Sequence, residues 1–430
     1  MLSVIFIVYV ALIYSSVESS SVVGRTMMEV MDALSRPDIT MHDRADSSKL
    51  HTLVFVRKQI NLDKLEHILN SVSDPKSSEY GKHWSAYAIA TLTGSPSSHN
   101  EIRDFLNDYG VKSINSIRNG DYIIANASVA TWEKVLEARF YEYSHKKKSF
   151  KKFIRAANYS LPNHILKHIH SVFNTVQLPM SLLDEPTDTG QLQFNVSAEK
   201  IAPVGFTTPA SLNKIYNIQS NIGNNLTSQA IFGFLFQSVS RQDLNLFQSV
   251  FHLPQQEITT GPGGHVIDGE CNNIIQCMEA TLDAEYLMAI AQNVPTQYYY
   301  WSGNDVWLDW ILNVARMDKP PDVITISYGS YELFMGQTYL DAFNAEAMKL
   351  GVMGTTILAA SGDDGVAGFF ARILGPAFCD YLPMFPASSP YVTAIGGTMV
   401  RCLYVKIKLS TMFDVFYMLY CYRYRVQRKG

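Results

Sequence analysis

The sequence predicts two folded parts, an α/β domain with a parallel sheet preceded by a smaller α+β domain. Three observations carry this. The chain has 430 residues, well beyond the roughly 100–200 of one ordinary domain. Its first half holds two strand-and-helix units within a short span. From about Thr207 onward strands and helices alternate, the pattern of a parallel sheet with crossover helices.

The elements follow in order. Residues 2–14, LSVIFIVYVALIY, form a short apolar run before the small-residue stretch SSVESSS, the form of a signal peptide over residues 1–20 with cleavage near Ser19 to Ser21. No basic residue precedes the run, so an uncleaved anchor is the competing reading; both bring the chain into the secretory pathway. A folded domain is expected over residues 45–180. HTLVFVR at 51–57 reads as a strand, and NLDKLEHILNSV after it has apolar residues at helical spacing behind Asn61. SPSSHNEIRDFLNDYG then offers polar caps, an apolar face of Ile102, Phe105 and Leu106, and Gly110 as a stop; DYIIANAS supplies a strand, and residues 130–139 another helix. The alternation suggests a compact ferredoxin-like sandwich. The basic run HKKKSFKK at 145–152 reads as a solvated loop or processing segment, with an acidic partner as the alternative.

Residues 181–204, rich in Pro, Asp and Thr, read as an exposed linker accessible to proteolysis. A second domain is expected over residues 205–398. QAIFGFLF is followed by the helical SRQDLNLFQSVF, then DVITISYG, a helix through 338–350, and TTILAASGDDG. In such domains ligands sit beyond the carboxyl ends of the strands, which marks 327–329 and 361–365. Residues 399–430, dense in Tyr and basic residues, fit no element of this pattern, and the run 412–422 is too short and too interrupted by Asp414 for a membrane span.

Composition narrows the function. Hydrophobic residues make up 47% of the chain, enough for a large core. The formal net charge of −4 argues against a nucleic-acid partner held by phosphate neutralisation. Four Asn-x-Ser/Thr triplets, at Asn126, Asn158, Asn195 and Asn225, are glycosylation candidates compatible with that pathway. The five cysteines, Cys271, Cys277, Cys379, Cys402 and Cys421, leave one unpaired in a monomer. Cys271 and Cys277 read as a disulfide loop before metal ligands, since no further Cys or His stands at metal-binding spacing nearby.

Three constellations can carry chemistry. The Gly- and Pro-free segment CMEATLDAEYLMAIA reads as a helix that places Glu279 and Asp283 four apart on one face. An exposed face leaves such a pair idle; a buried one makes the two share a proton and raises one pKa. The neighbours Ala280, Leu282, Ala284, Leu287, Met288 and Ala289 favour an enclosed helix. Asp363 follows an apolar strand in the Gly-flanked loop SGDDG, and Ser327, Tyr328 and Gly329 follow VITI with backbone that can pair with an extended peptide.

The order of these three, with MFPASSPYVTAIGGT at 384–398, SSEYGKHW at 77–84 and TTPASLNKIYNI at 207–218, resembles the sedolisin family of serine-carboxyl peptidases, most closely its tripeptidyl-peptidase branch, over roughly residues 45–400. The resemblance implies a subtilisin-like parallel-sheet catalytic domain behind an activation prodomain. It implies Glu279 as general base and acid for a serine, Asp283 as the residue that orients it, and Asp363 as the oxyanion stabiliser. A carboxylate in place of imidazole moves the working range to acid, as does a carboxyl that must donate to an oxyanion. The implied product is an acid-active peptidase of the lysosome or the extracellular space. It is made as a zymogen, acts on peptides or proteins, with tripeptide release from N-termini as its exopeptidase form, and is held by its own prodomain. The family's Gly-Thr-Ser with the nucleophile is absent from these 430 residues, and so is its Asp-rich calcium site. The expectation is therefore a C-terminally truncated peptidase domain without its serine, inactive alone, with a prodomain-type inhibitor or chaperone, or a peptide-binding pseudopeptidase, as the rival reading. Ser410 lacks the glycine turn of a nucleophile and is not a substitute.

Overall fold

The computed structural model describes residues 24–31, 36, 38–117, 120–146, 148–179, 207–233, 237–261, 266–267, 276–301, 306–365, 368, 371, 375, 379 and 381–397. The expected signal peptide, the whole of the expected linker and the tail at 399–430 lie outside them. The first half runs β1 (Arg25–Val30), β2 (Ile39–Arg44), β3 (Leu50–Arg57), α1 (Leu62–Ser73), α2 (Ala86–Thr93), α3 (Pro96–Asp108), β4 (Ser113–Ile117), β5 (Tyr122–Ser128), α4 (Val129–Leu136), β6 (Phe140–His145), β7 (Lys148–Ala156), β8 (Asn158–Pro162) and β9 (Ile169–Phe173). The second continues with α5 (Pro209–Ile215), β10 (Gln229–Gly233), β11 (Val239–Ser240), α6 (Arg241–Val250), β12 (Thr259–Thr260), β13 (Val266–Ile267), α7 (Met278–Ile290), β14 (Thr296–Tyr300), α8 (Val306–Val314), β15 (Val323–Ile326), β16 (Ser330–Tyr331), α9 (Gln337–Val352), β17 (Thr356–Ala360), β18 (Met384–Phe385) and β19 (Thr393–Ile395).

Two compact units result. The described residues up to Ile60 join Gly94–Leu178, and Asn61–Thr93 joins the residues from Pro179 onward. In the first unit β4, β5, β3 and β9 form, in that order, an antiparallel sheet. With α3 between β3 and β4 and α4 after β5, this is the expected ferredoxin-like order. Leu53 and Phe55 of β3 pack with Ile102, Phe105 and Leu106 of α3 and with Trp132 and Val135 of α4 in one core. Helix α4 starts where the Ser128 hydroxyl accepts from the Thr131 N–H at 3.2 Å, and ends at Glu137, whose φ of 47° is left-handed. The predicted helix therefore runs three residues too far.

A second, three-stranded sheet of β2, β6 and β7 has no counterpart in the sequence reading. The basic run expected as a loop or processing segment lies largely on the β6–β7 hairpin, where Lys152 meets Glu142 at 2.8 Å across the ladder. Cross-strand pairing there gives Lys152 a use that the density of lysines alone does not reveal.

The second unit is built on six parallel strands in the order β12, β14, β10, β15, β17, β19. Every residue of β10 is buried because helices cover both faces. Ile231 faces Leu244 of α6 and Ala280, Ala284 and Met288 of α7. Phe232, its neighbour on the other face, stacks on Trp307 of α8, which meets Phe343 of α9 edge-on. Outside α9 lie α1 and α2, with Leu65 and Ile89 against Met348 and Val352. This is the α/β architecture the sequence predicts, with the addition that residues 61–93 pack with it.

Candidate active site

The site forms at the carboxyl ends of β15 and β17, neighbours in the sheet with Ile326 opposite Ala359. Ser327 leaves β15 where Ser361-Gly362-Asp363 leaves β17. Helix α7 lies over the sheet on Ala280, Ala284 and Met288, and its first turn brings Glu279 to the same end. The Glu279 N–H donates to the Gln237 side-chain oxygen at 3.2 Å. The Gln237 carbonyl in turn accepts from the Tyr298 hydroxyl at 2.9 Å. Gln237 thus ties the start of α7 to β14.

Asp283 accepts a 2.9 Å hydrogen bond from the Ser327 hydroxyl on Oδ1, while its Oδ2 is buried without a partner among the described residues. Burial, then the nearby Glu279 charge, push its carboxyl up to about 7, against the opposing Ser327 bond. Burial and the charge of Asp363 raise Glu279 likewise. Asp363 itself is exposed, on a loop whose Gly362 has φ 92°, a left-handed turn that favours glycine. The structure therefore brings Glu279, Asp283, Asp363 and Ser327 together, and α7 is enclosed on the face that carries its small residues. Leu282, expected among the enclosing residues, is instead 46% exposed on the outer side.

Tyr328 lies among the same groups; burial and then Tyr298, Glu279, Asp283 and Tyr300 drive its phenol up. Gly329 leaves little room for a side chain, because an added Cβ would stand 3.0 Å from the Phe385 carbonyl and from the Met384 methyl, and both would have to give way. The next residues already pair with the chain, Ser330 with Phe385 and Tyr331 with Met384. Of the glycosylation candidates, Asn158 and Asn225 are exposed, Asn126 sits inside β5 with its amide oxygen buried, and Asn195 lies outside the described residues. Cys277 and Cys379 are both disulfide-bonded. Among the described residues no group of three or more His, Cys, Asp and Glu side chains is placed to hold a metal ion.

Sequence reasoning missed Gln237, Tyr298 and Glu285. A lone glutamine in a loop carries no signal, whereas the polar-tipped strand TQYYY does. Glu285 was in view two residues after Asp283. Burial and then Asp243 of α6 push it up to about 8.

Residues 37–178 match the family model of the pro-kumamolisin activation domain. The chain is 32% identical over 382 residues to tripeptidyl-peptidase 1 of Rattus norvegicus, covering 83% of this chain and 63% of that one. It is 30% identical over 373 residues to the Homo sapiens protein of the same name, covering 83% and 62%. The chain is thus a relative of tripeptidyl-peptidase 1 with a pro-kumamolisin-type activation domain. It carries that domain ahead of an α/β unit and spans 63% of the length of the rat protein. Among solved structures, Pseudomonas sedolisin, a serine-carboxyl proteinase, overlaps 44% of this chain and 53% of its own at 24% identity, with a TM-score of 0.36. Among the described residues, no helix is long and apolar enough to cross a membrane.

Proposed function

We propose that this chain carries the carboxylate machinery of an acid-active serine-type peptidase, made as a zymogen in the secretory pathway and working in the lysosome or outside the cell. One observation carries the reading. Two acids one helical turn apart, Glu279 and Asp283, are raised by burial and then by a neighbouring acid, Asp363 for Glu279 and Glu279 for Asp283, at the strand ends where an α/β domain binds its ligand. In this reading Glu279 takes and returns the serine proton. Asp283 orients Glu279 and holds a proton beside it, Asp363 faces the oxyanion, and the backbone at 327–329 receives the peptide. A Glu with a raised pKa is a stronger base when ionised and keeps its protonated form, the donor to the leaving amine, to higher pH than an ordinary carboxyl, which suits the two half-reactions. The relatives' name favours tripeptide release from N-termini as the activity. The activation domain over residues 37–178 is the inhibitor in this scheme, and cleavage in residues 181–204 frees the enzyme.

The rival is a product that binds an extended peptide at 327–329 without cleaving it. The test is a tripeptide-release assay on the chain after acidification, with Glu279→Gln alongside. Release that the variant loses by on the order of 10²-fold or more supports the enzyme. No release, with saturable binding of an extended peptide, supports the rival. Release that survives Glu279→Gln overturns the assignment of Glu279.

A further inference from the structure

Ser327 stands out because its side chain is already engaged. It is the first residue beyond β15, a strand fixed between its parallel neighbours β10 and β17 up to Ile326. From there its hydroxyl crosses to α7 and donates to Asp283 Oδ1 at 2.9 Å. The other oxygen, Oδ2, is buried and has no hydrogen-bond partner among the described residues. A carboxyl with one oxygen held as an acceptor and the other enclosed has a single place for a proton, Oδ2. We propose that Ser327 is a positioning residue for Asp283, which holds Oδ1 as an acceptor so that the proton of the neutral carboxyl resides on Oδ2.

The inference rests on reading this site as the peptidase's carboxylate machinery, and it gives the Ser327 side chain a task beside the one its backbone has in that reading. The titratable groups that face Asp283 are Glu279 on its own helix, Tyr298 on β14 and Tyr328 beyond β15. Ser327 is therefore the group that favours the ionised form, against burial and Glu279, both of which oppose it. Without the hydroxyl, Oδ1 also loses its donor, the carboxyl can rotate, and the proton has two equivalent seats. Asp283 then holds its proton more tightly and with less orientation.

The test is a carboxyl-carbon NMR titration of the full chain labelled at Asp side chains, with Asp283→Asn to assign the resonance. S327A is expected to raise the Asp283 midpoint by on the order of one pH unit, and S327T, which keeps the hydroxyl, to restore it. A folded S327A with the wild-type midpoint overturns the proposal, as does an S327T that titrates like S327A. If S327A does not fold, S327C decides: its weaker donor gives an intermediate rise, and a wild-type midpoint overturns the proposal. Titration needs no turnover. An inactive chain with a shifted S327A midpoint sinks the peptidase reading and keeps this one; an active chain with an unshifted midpoint does the reverse.

Discussion

Glycine 362 shows how narrowly the site's third acid is placed. Its φ of 92° lies where side chains are strained, and an added Cβ would come 3.2 Å from Met384 Cγ. Gly362→Ala should cost about 1–3 kcal/mol through backbone strain, and the turn that relaxes to accept it carries Asp363 with it. Urea unfolding at pH 5 measures the cost. A companion titration of Glu279 should show a smaller rise than in the wild type, because Asp363 is one of its two causes. An unchanged Glu279 midpoint in a destabilised variant would mean that the loop keeps Asp363 in place. The residue types of this site were legible in the sequence. Carboxylates four apart on a Gly-free helix and an Asp between glycines are local patterns. Gln237 was not legible, since it acts through atoms brought near by the sheet, and no spacing along the chain encodes that.

At the scale of elements, α9 has apolar material on both sides, Phe343 toward the sheet and Met348 and Val352 toward α1 and α2. Between them Glu346 and Lys349 form an ion pair at 2.7 Å with 1% of each side chain exposed. Removing one partner leaves a buried charge, so Glu346→Ala should destabilise the second unit by about 3–5 kcal/mol, whereas the double change E346L with K349M should recover most of the loss. Thermal melts of the three proteins check this; a single variant as stable as the wild type would show that water reaches Lys349. The helix itself was legible, predicted at 338–350 and found at Gln337–Val352, because its apolar periodicity is long and unbroken. Its double coverage was not. Residues 61–93 read as part of the first domain because they follow its first strand, yet Leu65 and Ile89 bury against α9, and Trp84 N–H donates to the Val352 carbonyl at 2.9 Å. Sequence order sets which elements are neighbours along the chain, while apolar faces decide which ones pack. The β6–β7 hairpin escaped for a related reason, as its lysines mask the alternation that marks a strand.

At the scale of the whole molecule the two units respond to pH with opposite sign. Seven of the eleven histidines lie in the first unit. Burial, then the charges of Arg155 and Lys49, hold His51 down at about 4 despite its bond to the Asn174 carbonyl. Burial lowers His99 and His168 in the same direction. Asp38, although burial opposes it, is held below the usual carboxylate range by its bonds from Arg36 and His145. A histidine whose folded pKa is depressed contributes nothing above about 6.5 and costs stability as pH falls from there toward 4, on the order of 3 kcal/mol for His51. Asp38 adds a loss as pH falls through the carboxylate range. In the second unit Asp283 at about 7 and Glu285 at about 8 are raised, with Glu279 in the same direction. Their stabilisation is fully present below the ordinary carboxyl pKa, about 4, and is lost as pH rises through 7 to 8. Acidification should therefore loosen the first unit and tighten the second within one chain. Hydrogen exchange on the full chain at pH 7.5 and 4.5, corrected for intrinsic rates, reads both at once. Protection in β3 and β5 should fall and protection in α7 and β15 should rise. His51→Gln, which cannot be charged, should blunt the first change and leave the second untouched. Parallel loss in both units, or a first unit indifferent to acid, would remove the histidines as the source of the asymmetry.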